Sequence, residues 1–236
     1  MPRASAPSAP PSDERRAKKS QAIVDAAARL FARHGYADCE MEQVAGDLKI
    51  AKGTLYLYFP GKAELFCACV DQGMREMQGA IRQAAEETCE PFEKISRAIR
   101  GYLEFFDAHP HYVELLIQER ANFKSRKRPS YFEHRDANRG PWRTMYEQLI
   151  AEGRMRGDLP VERILDTIGN LLYGTMFTNF FAGRSVSIAE QHQALLAIVF
   201  RGILSDAERE SLEMPCSNGK HTPAKPRAKR PGRPRV

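Results

Sequence analysis

Apolar residues recur at intervals of three and four positions along most of the chain, and polar residues fill the positions between them. Ile23, Ala27 and Phe31 share one face of a first helix, and the same spacing extends from Phe66 to Ile81 in a long fourth helix. This spacing predicts amphipathic helices, whereas the strict alternation typical of a strand has no convincing run. We therefore predict an all-α fold of about nine helices.

Glycine and proline mark the predicted limits of these helices. Gly35 is placed to cap the first helix, and Pro60–Gly61 to end a short third helix. Gly140–Pro141 predicts a kink or break within a later helical segment. The later helices are expected at about residues 91–109, 111–125, 130–156, 160–183 and 187–204.

The first three predicted helices have the layout of a helix-turn-helix. Ile50, Leu55 and Phe59 supply apolar anchors for the short third helix, and Ala45 is small enough for the second and third helices to cross closely. The remaining positions carry basic, hydroxyl, small and aromatic side chains, which suit phosphates and base edges. Spacing alone leaves open an ordinary three-helix subdomain with exposed aromatics. The candidate DNA contacts are Glu42, Gln43, Lys52, Gly53, Thr54, Tyr56, Leu57, Tyr58 and Lys62.

Lys62 is expected at the start of the fourth helix, where a cation is electrostatically unfavourable. A nearby anion would remove this conflict, because it can interact with both the ammonium group and the helix N-terminus. We expect a DNA phosphate to be that anion.

The strings IVDAAARLFARHGY and KGTLYLYFPGK resemble the TetR family of bacterial transcriptional regulators. The similarity covers about residues 18–70, and KGTLYxYFxxK is a specific signature of that family. It implies a homodimer with an N-terminal DNA-binding domain and a C-terminal helical domain that binds a ligand. It also implies DNA contacts, mostly to phosphate, at Thr54, Tyr56, Tyr58 and Lys62.

Two positions depart from the family pattern. Lys49 occupies a turn position commonly held by Gly, where a left-handed conformation costs roughly 1 kcal/mol. Ala51 replaces the usual Ser or Thr cap of the third helix, at a cost of about 1 kcal/mol. Neither change removes a candidate contact residue.

Aromatic and methionine residues concentrate beyond residue 100, where core packing is the simplest interpretation for any single one. As a group, with Asn170, Thr178 and Asn179 nearby in sequence, they predict a mostly apolar pocket with a few polar groups. The resemblance implies an apolar or amphipathic small-molecule effector. The candidate pocket residues are Tyr102, Phe105, Phe106, Trp142, Met145, Tyr146, Met176, Phe177 and Phe180.

The last two predicted helices are rich in Ile, Leu, Val and Phe, and Gly169 and Gly174 allow a neighbour to approach closely. In the TetR family the equivalent helices pair across a two-fold axis as a four-helix bundle. Such a dimer suits a palindromic operator. Burial within one protomer is the alternative. The candidate interface residues are Ile168, Leu172, Leu196, Val199 and Ile203.

The formal net charge of +6 is concentrated in residues 217–236, which hold seven basic groups and no acidic one. The other 216 residues hold 29 basic against 30 acidic groups. The chain ends in a sequence that resembles a partial AT-hook, with Arg230, Gly232, Arg233 and Arg235 as candidate minor-groove contacts, although Pro231 stands where that motif has Arg. A solubilising or nonspecific phosphate-binding tail is the alternative, and either would make affinity depend on salt.

Five cysteines without framework spacing, and the lack of a signal-peptide pattern or an apolar run of about 18 residues, lead us to expect a reduced cytoplasmic compartment. Cys67 and Cys69 would point to different sides of a helix, and His109 and His111 flank a proline, so neither pair is expected to bind metal. No catalytic set or phosphate-binding loop stands out. We expect no cofactor and no enzymatic activity.

We therefore predict a sequence-specific, ligand-responsive transcriptional repressor that acts as a homodimer. A nucleoid-type protein that coats DNA without sequence preference, using head and tail, is the alternative, and an enzyme acting in the C-terminal pocket is a further rival. The predicted organisation is a disordered arm over 1–13, a helix-turn-helix domain over 14–62, an effector-binding and dimerisation domain over 63–204, and a disordered basic tail over 205–236.

Overall fold

A computed structural model describes residues 12–208 of the chain. Within this range every regular secondary-structure element is a helix. One isolated antiparallel bridge joins Met155 to Leu204. The predicted all-α class is confirmed. The helices are α1 (Ser12–His34), α2 (Met41–Asp47), α3 (Lys52–Tyr56), α4 (Lys62–Glu86), α5 (Pro91–Ala108), α6 (Pro110–Asn122), α7 (Ser130–Ala137), α8 (Gly140–Ala151), α9 (Val161–Ala182) and α10 (Ile188–Ile203), and residues 206–208 are also helical.

Three helix limits differ from those predicted. The segment 130–156 is broken before Gly140, so α7 and α8 are separate helices and ten are bounded in the described residues instead of about nine. Helix α3 ends at Tyr56, before Pro60, although the amides of Tyr58 and Phe59 still donate to the carbonyl oxygen of Leu55. Helix α6 ends at Asn122, because Phe123 leaves the helical conformation and packs its ring on an aromatic cluster.

The predicted disordered ends fall largely outside the described residues. Helix α1 begins at Ser12, so the expected arm over 1–13 was placed two residues too far into the chain. Residues 206–208 are helical, within the segment expected to be disordered. Residues 1–11 and 209–236, and with them the candidate tail contacts Arg230, Gly232, Arg233 and Arg235, lie outside the described part.

Helix α4 is the central element, because it packs against α1, α5, α6 and α7. Its buried stripe includes Phe66, Val70, Met74 and Met77, as the spacing predicted. The stripe belongs to one apolar cluster that also contains Phe31 of α1. The N-terminal three helices and the later helices therefore share a core along the length of α4.

A buried polar network joins α6 to α7. Glu119 is 2% exposed, and its carboxylate accepts hydrogen bonds from the Ser130 hydroxyl at 2.7 Å and from the Arg126 guanidinium at 2.8 Å. The backbone amide of Ser130 donates to the same carboxylate at 3.2 Å. The first turn of α7 is thereby fixed against the end of α6, which is consistent with the rule that a buried charge needs hydrogen-bonding partners.

Candidate functional site

Helices α2 and α3 pack through small and aliphatic residues, as predicted. Ala45, Val44 and Leu55 are buried, and the amide of Ile50 donates to the carbonyl oxygen of Ala45 at 2.9 Å across the turn. Lys49 adopts φ = 53°, the only positive φ of a residue other than Gly in the described range. The turn therefore has the left-handed position that the sequence indicated, held by a residue with a Cβ.

Two of the candidate contacts on α2 have partners within the protein. The Gln43 side chain accepts a hydrogen bond from the amide of Glu40 at 2.9 Å, so it caps its own helix. The Glu42 carboxylate forms an exposed ion pair with Lys52, which joins α2 to α3. The hydrogen bond from Lys52 lowers the pKa of Glu42. These side chains can reach DNA only by exchanging those local partners.

Helix α3 presents a mixed surface to solvent. Lys52, Gly53 and Tyr56 are exposed, and the Lys52 ammonium lies 5.7 Å from the centre of the Tyr56 ring. Leu57, directly after the helix, is 75% exposed and adds an apolar side chain to this surface. Thr54 is half-buried beside them. This surface carries the hydroxyl, cationic and apolar groups that DNA recognition uses.

Tyr58 lies differently from the other candidates. It was expected to point away from the core, but it is half-buried and packs against the core cluster. The guanidinium of Arg16 lies 5.9 Å from the centre of its ring, so the first turns of α1 flank the α3 surface. Arg16 was missed in the sequence, where the signal was the basic run RRAKK at the start of α1.

Lys62 is the first residue of α4, as predicted, but protein groups already surround its ammonium. It donates to the carbonyl oxygen of Ala37 at 2.9 Å, lies 3.7 Å from a Glu40 carboxylate oxygen and stands 5.1 Å from the centre of the Tyr36 ring. Lys62 therefore fixes the start of α4 to the loop before α2. A phosphate contact at this position remains a prediction.

A cavity of about 140 Å³ lies among α4, α5, α7, α8 and α9. Its walls are mostly apolar, and three of the predicted pocket residues, Tyr102, Trp142 and Tyr146, line it. The other lining residues are Met77, Gln78, Ile81, Ile95, Ala98, Ile99, Tyr131, Arg135, Asn138, Arg139, Leu165, Ile168, Gly169 and Leu172.

Three tyrosine hydroxyl groups supply polar points in this apolar wall. The hydroxyls of Tyr102 and Tyr131 are 3.1 Å apart. Tyr146 is 3% exposed, and its hydroxyl has no hydrogen-bond partner within residues 12–208. Burial raises the pKa of Tyr131 to about 12 and raises that of Tyr146 as well. The hydroxyls therefore stay protonated at neutral pH and can donate as well as accept hydrogen bonds.

Arginines from the α7–α8 region stand at one side of the cavity. Arg139 donates to a carboxylate oxygen of Asp166 at 2.7 Å, and Arg135 lies 3.9 Å from the same oxygen. Both arginines line the cavity, and Asn138 lies between them in sequence. None of these four residues was singled out from the sequence, where the polar run RDANR before Gly140–Pro141 was a signal for the two arginines and Asn138 but not for Asp166.

The remaining predicted pocket residues divide into two groups. Phe106, Met176 and Phe180 line a smaller cavity of about 70 Å³ between α5, α6 and α9, which Tyr102 also borders. Phe105, Met145 and Phe177 line neither cavity, so their assignment is corrected. Phe105 is buried against the Tyr112 ring, Phe177 packs on other aromatic rings of α9, and Met145 packs against the core.

The predicted interface residues also need correction. Val199 and Ile203 are buried within the protomer, Leu196 is half-buried against the core, and Ile168 and Leu172 line the larger cavity. The apolar residues that α9 and α10 expose are instead Phe181, at 69%, and Ile198, at 66%. A surface groove of about 340 Å³ is lined by Asn170, Leu171, Gly174, Thr175, Thr178 and Gln191.

Residues 12–208 contain no cluster of three or more His, Cys, Asp or Glu side chains suited to a metal ion. In the same part of the chain, no helix combines the length and apolarity that a membrane crossing requires.

An all-helical protein with an N-terminal helix-turn-helix, and a mostly apolar cavity lined by its later helices, has the architecture of a one-component DNA-binding regulator. Residues 23–69 match the family described as bacterial regulatory proteins, tetR family. This match assigns the N-terminal helices to the TetR type of DNA-binding domain, and the protein is a DNA-binding transcriptional regulator.

Relatives agree with this assignment. The HTH-type transcriptional repressor KstR2 of Mycobacterium tuberculosis is 25% identical over 185 residues, which cover 78% of this chain and 92% of that protein. The regulator YhgD of Bacillus subtilis is 31% identical over 103 residues, 44% of this chain and 53% of that one. The solved structure of the fatty acid degradation regulator FadR from Bacillus halodurans superposes on this protein with a TM-score of 0.68 at 18% sequence identity. The alignment covers 84% of this chain and 98% of the FadR chain, which supports the fold.

Proposed function

We propose that the protein is a ligand-responsive repressor that binds a palindromic operator as a homodimer. The observation that carries this proposal is that one helix, α4, contacts both sites. Its first residue, Lys62, donates to the Ala37 carbonyl oxygen beside the reading head, and Met77 and Ile81 line the cavity. A molecule that fills the cavity therefore acts on the same helix that positions the head. KstR2, a relative, is named a repressor.

We assign the DNA-binding domain to α1–α3 and the effector-binding and dimerisation domain to α4–α10. The exposed surface around α3 is the DNA-reading face, with Lys52, Thr54, Tyr56 and Leu57 as its main contacts. Arg16 extends this face to the start of α1. We place the protein in the cytoplasm, where an operator is accessible, and expect no catalytic activity, since the named relatives are regulators.

Binding assays with fluorescent duplexes test the reading face. Wild-type protein should bind one duplex from its own upstream region more tightly than a scrambled duplex. Leu57→Ala should weaken only the specific complex, and it should fold normally because Leu57 is mostly exposed. Lys52→Ala should make the slope of log K against log salt concentration shallower by about two, because the homodimer loses one phosphate-neutralising cation from each of its two reading faces.

The matched control for Lys52→Ala is Lys127→Ala, because Lys127 is an exposed lysine between α6 and α7, outside the reading face. It should leave affinity and salt slope unchanged. Equal affinity of the wild type for every duplex would overturn the proposal and favour the nucleoid-type alternative. The rival enzyme function predicts turnover of a bound metabolite, which purified protein should not show.

The dimer is proposed to form through the outer faces of α9 and α10. Phe181 and Ile198 are the exposed apolar residues there, and the small residue Gly174 borders the neighbouring groove. Aromatic residues such as Phe are enriched at the core of protein interfaces. Ile198→Glu should convert the dimer to a monomer in sedimentation velocity runs at micromolar concentration. Leu159→Glu, at an exposed apolar residue before α9, should leave the dimer intact; a dimer that survives Ile198→Glu would refute this interface.

A further inference from the structure

We infer that the cavity binds an amphipathic anion, with an apolar body against the α4 and α5 wall and a carboxylate or phosphate group between Arg135 and Arg139. This inference rests on the proposed function, since it names the chemistry of the effector.

The apolar part of the cavity limits the size of that body. Met77, Ile81, Ile99 and Leu165 form a wall without charged groups. The volume of about 140 Å³ is close to that of an engineered apolar cavity that accepts benzene, so a single ring or a chain of about six carbons fits the cavity in this state. A body of this kind gains affinity chiefly from removal of its apolar surface from water.

The charge beside this wall favours an anion. Arg139 donates to Asp166 at 2.7 Å and to the carbonyl oxygen of Glu162 at 2.7 Å. Arg135 donates to Asp136 at 3.1 Å and reaches Asp166 only at 3.9 Å. Asp136 is shared with Arg128, which also forms an ion pair with it.

Arg135 and Arg139 are the charged residues of the cavity lining, which includes no carboxylate. Their partners Asp136 and Asp166 lie outside that lining. The part of this charge network that faces the cavity is therefore cationic. Two adjacent planar guanidinium groups are well suited to a carboxylate or phosphate.

A second polar point lies within the cavity wall. Tyr146 lines the cavity, and its hydroxyl forms no hydrogen bond with another group of residues 12–208. An additional oxygen on the ligand would satisfy it. The favoured ligand therefore carries its anionic group toward the two arginines and can carry a hydroxyl or carbonyl group toward Tyr146.

An anion at this position would compete with Asp166 for the arginines. Asp166 belongs to α9, whereas Arg135 and Arg139 lie in or after α7, so the competition loosens the contact between these helices. Helix α7 also contacts α4, where His134 lies 2.9 Å from Asp71. A change at Arg135 can thus reach the helix that carries the reading head.

Trp142 allows a direct binding assay on the full chain, because it is the single tryptophan and lines the cavity. Its fluorescence should be titrated with four six-carbon probes: hexanoate, hexyl phosphate, 1-hexanol and hexylamine. At least one anion should bind about tenfold or more tightly than the alcohol and the amine. Preference between hexanoate and hexyl phosphate identifies which anionic group the arginines accept. Equal or tighter binding of the alcohol or amine would overturn the inference.

Three variants sharpen this test. Arg139→Gln should lower the affinity for the anion about tenfold and leave the affinity for 1-hexanol unchanged. Arg143→Gln is its matched control, because Arg143 is an exposed arginine close in sequence that does not line the cavity. Asp166→Asn should raise the affinity for the anion, because it removes the competing carboxylate. A purely structural role for Asp166 predicts weaker anion binding instead. Weaker or unchanged anion affinity in Asp166→Asn would contradict the inference.

Operator release is measured separately by anisotropy of a labelled duplex. If the anion binds the cavity but leaves the operator complex intact, the ligand chemistry stands and the proposed ligand-responsive function fails. If 1-hexanol releases the operator and the anions do not bind, the function stands and the inferred ligand chemistry fails.

Discussion

A close contact between α4 and α6 predicts a large difference between two formally identical substitutions. Gly73, on α4, lies against the ring of Tyr112 on α6, and a Cβ added there would stand 2.3 Å from the ring carbon Cδ1. Gly79 lies on the same helix, and a Cβ added there would meet nothing within 4 Å. Gly73→Ala and Gly79→Ala therefore make the same chemical change in one helix, with and without a steric conflict.

The magnitude follows from two opposing contributions. Replacing Gly with Ala inside a helix stabilises by about 0.5–1 kcal/mol at either position. At Gly73 the added methyl group overlaps a ring that cannot move freely, since Tyr112 is buried, donates to Glu76 at 2.9 Å and stacks on Phe105. Overpacking of this kind costs about 1–3 kcal/mol. Gly79→Ala should therefore gain stability, and Gly73→Ala should be less stable than it by about 1–3 kcal/mol.

Urea unfolding at one fixed protein concentration measures this difference, because a dimer's stability depends on concentration. In thermal unfolding the two variants should differ by about 2–12 °C, at about 2–4 °C for each kcal/mol in a chain of this size. In a Tyr112→Ala background the penalty at Gly73 should disappear. Equal midpoints for the two variants, or a more stable Gly73→Ala, would refute the packing argument.

Three further substitutions test other features. Lys49→Gly should raise the free energy of unfolding by up to about 1 kcal/mol, since φ is 53° there; a decrease on urea unfolding would contradict the strain. Glu119→Gln should lower the free energy of unfolding by about 2–3 kcal/mol. Glu133 contacts the same Arg126 from a more exposed position, so Glu133→Gln should lower it by less than about 1 kcal/mol; equal losses would count against the buried network. Burial, with charge from His109 and Arg29, lowers the pKa of His111 in the folded state, so the unfolded chain takes up that proton first and stability falls as pH decreases below about 6.5. His111→Gln should therefore reduce the pH dependence of the unfolding free energy between about pH 7.5 and 5.5, and an unchanged pH dependence would contradict this argument.

The reading head could be predicted from the sequence because its determinants are local. The faces of α1 and α2 follow from three- and four-residue spacing, and the left-handed turn at Lys49 was expected from the family resemblance, in which this position is commonly Gly. The local partners of Gln43 and Lys62 could not be predicted in the same way. Lys62 lies 25 residues from Ala37, and only the packing of α4 on the α1–α2 loop brings them together.

The cavity and the outer surface were harder to predict because apolar residues occur on several faces of the later helices. Val199 and Ile198 are neighbours in α10, yet Val199 is buried and Ile198 is 66% exposed. Composition cannot distinguish them, since both are aliphatic and only the packing of α10 on α5 decides which one faces inward. Arg139 and Asp166 were missed for a related reason: their contact joins segments 27 residues apart.

Helix α4 gives a geometric reason why a small cavity can control operator binding. Met77, at the cavity, and Lys62, at the head, are separated by 15 residues, or about 22 Å along a helix. A tilt of about 5° around the cavity end would move the other end by about 2 Å over that length. In the proposed symmetric dimer both heads would move, so their separation would change by about 4 Å, roughly the rise of one base pair within a half-site spacing of about 34 Å. The packed contacts along α4, from Lys62 through Gly73 to Met77, make a concerted tilt more favourable than local bending. Structures of the dimer with and without bound ligand should therefore differ in head spacing, and an unchanged spacing would exclude this mechanism.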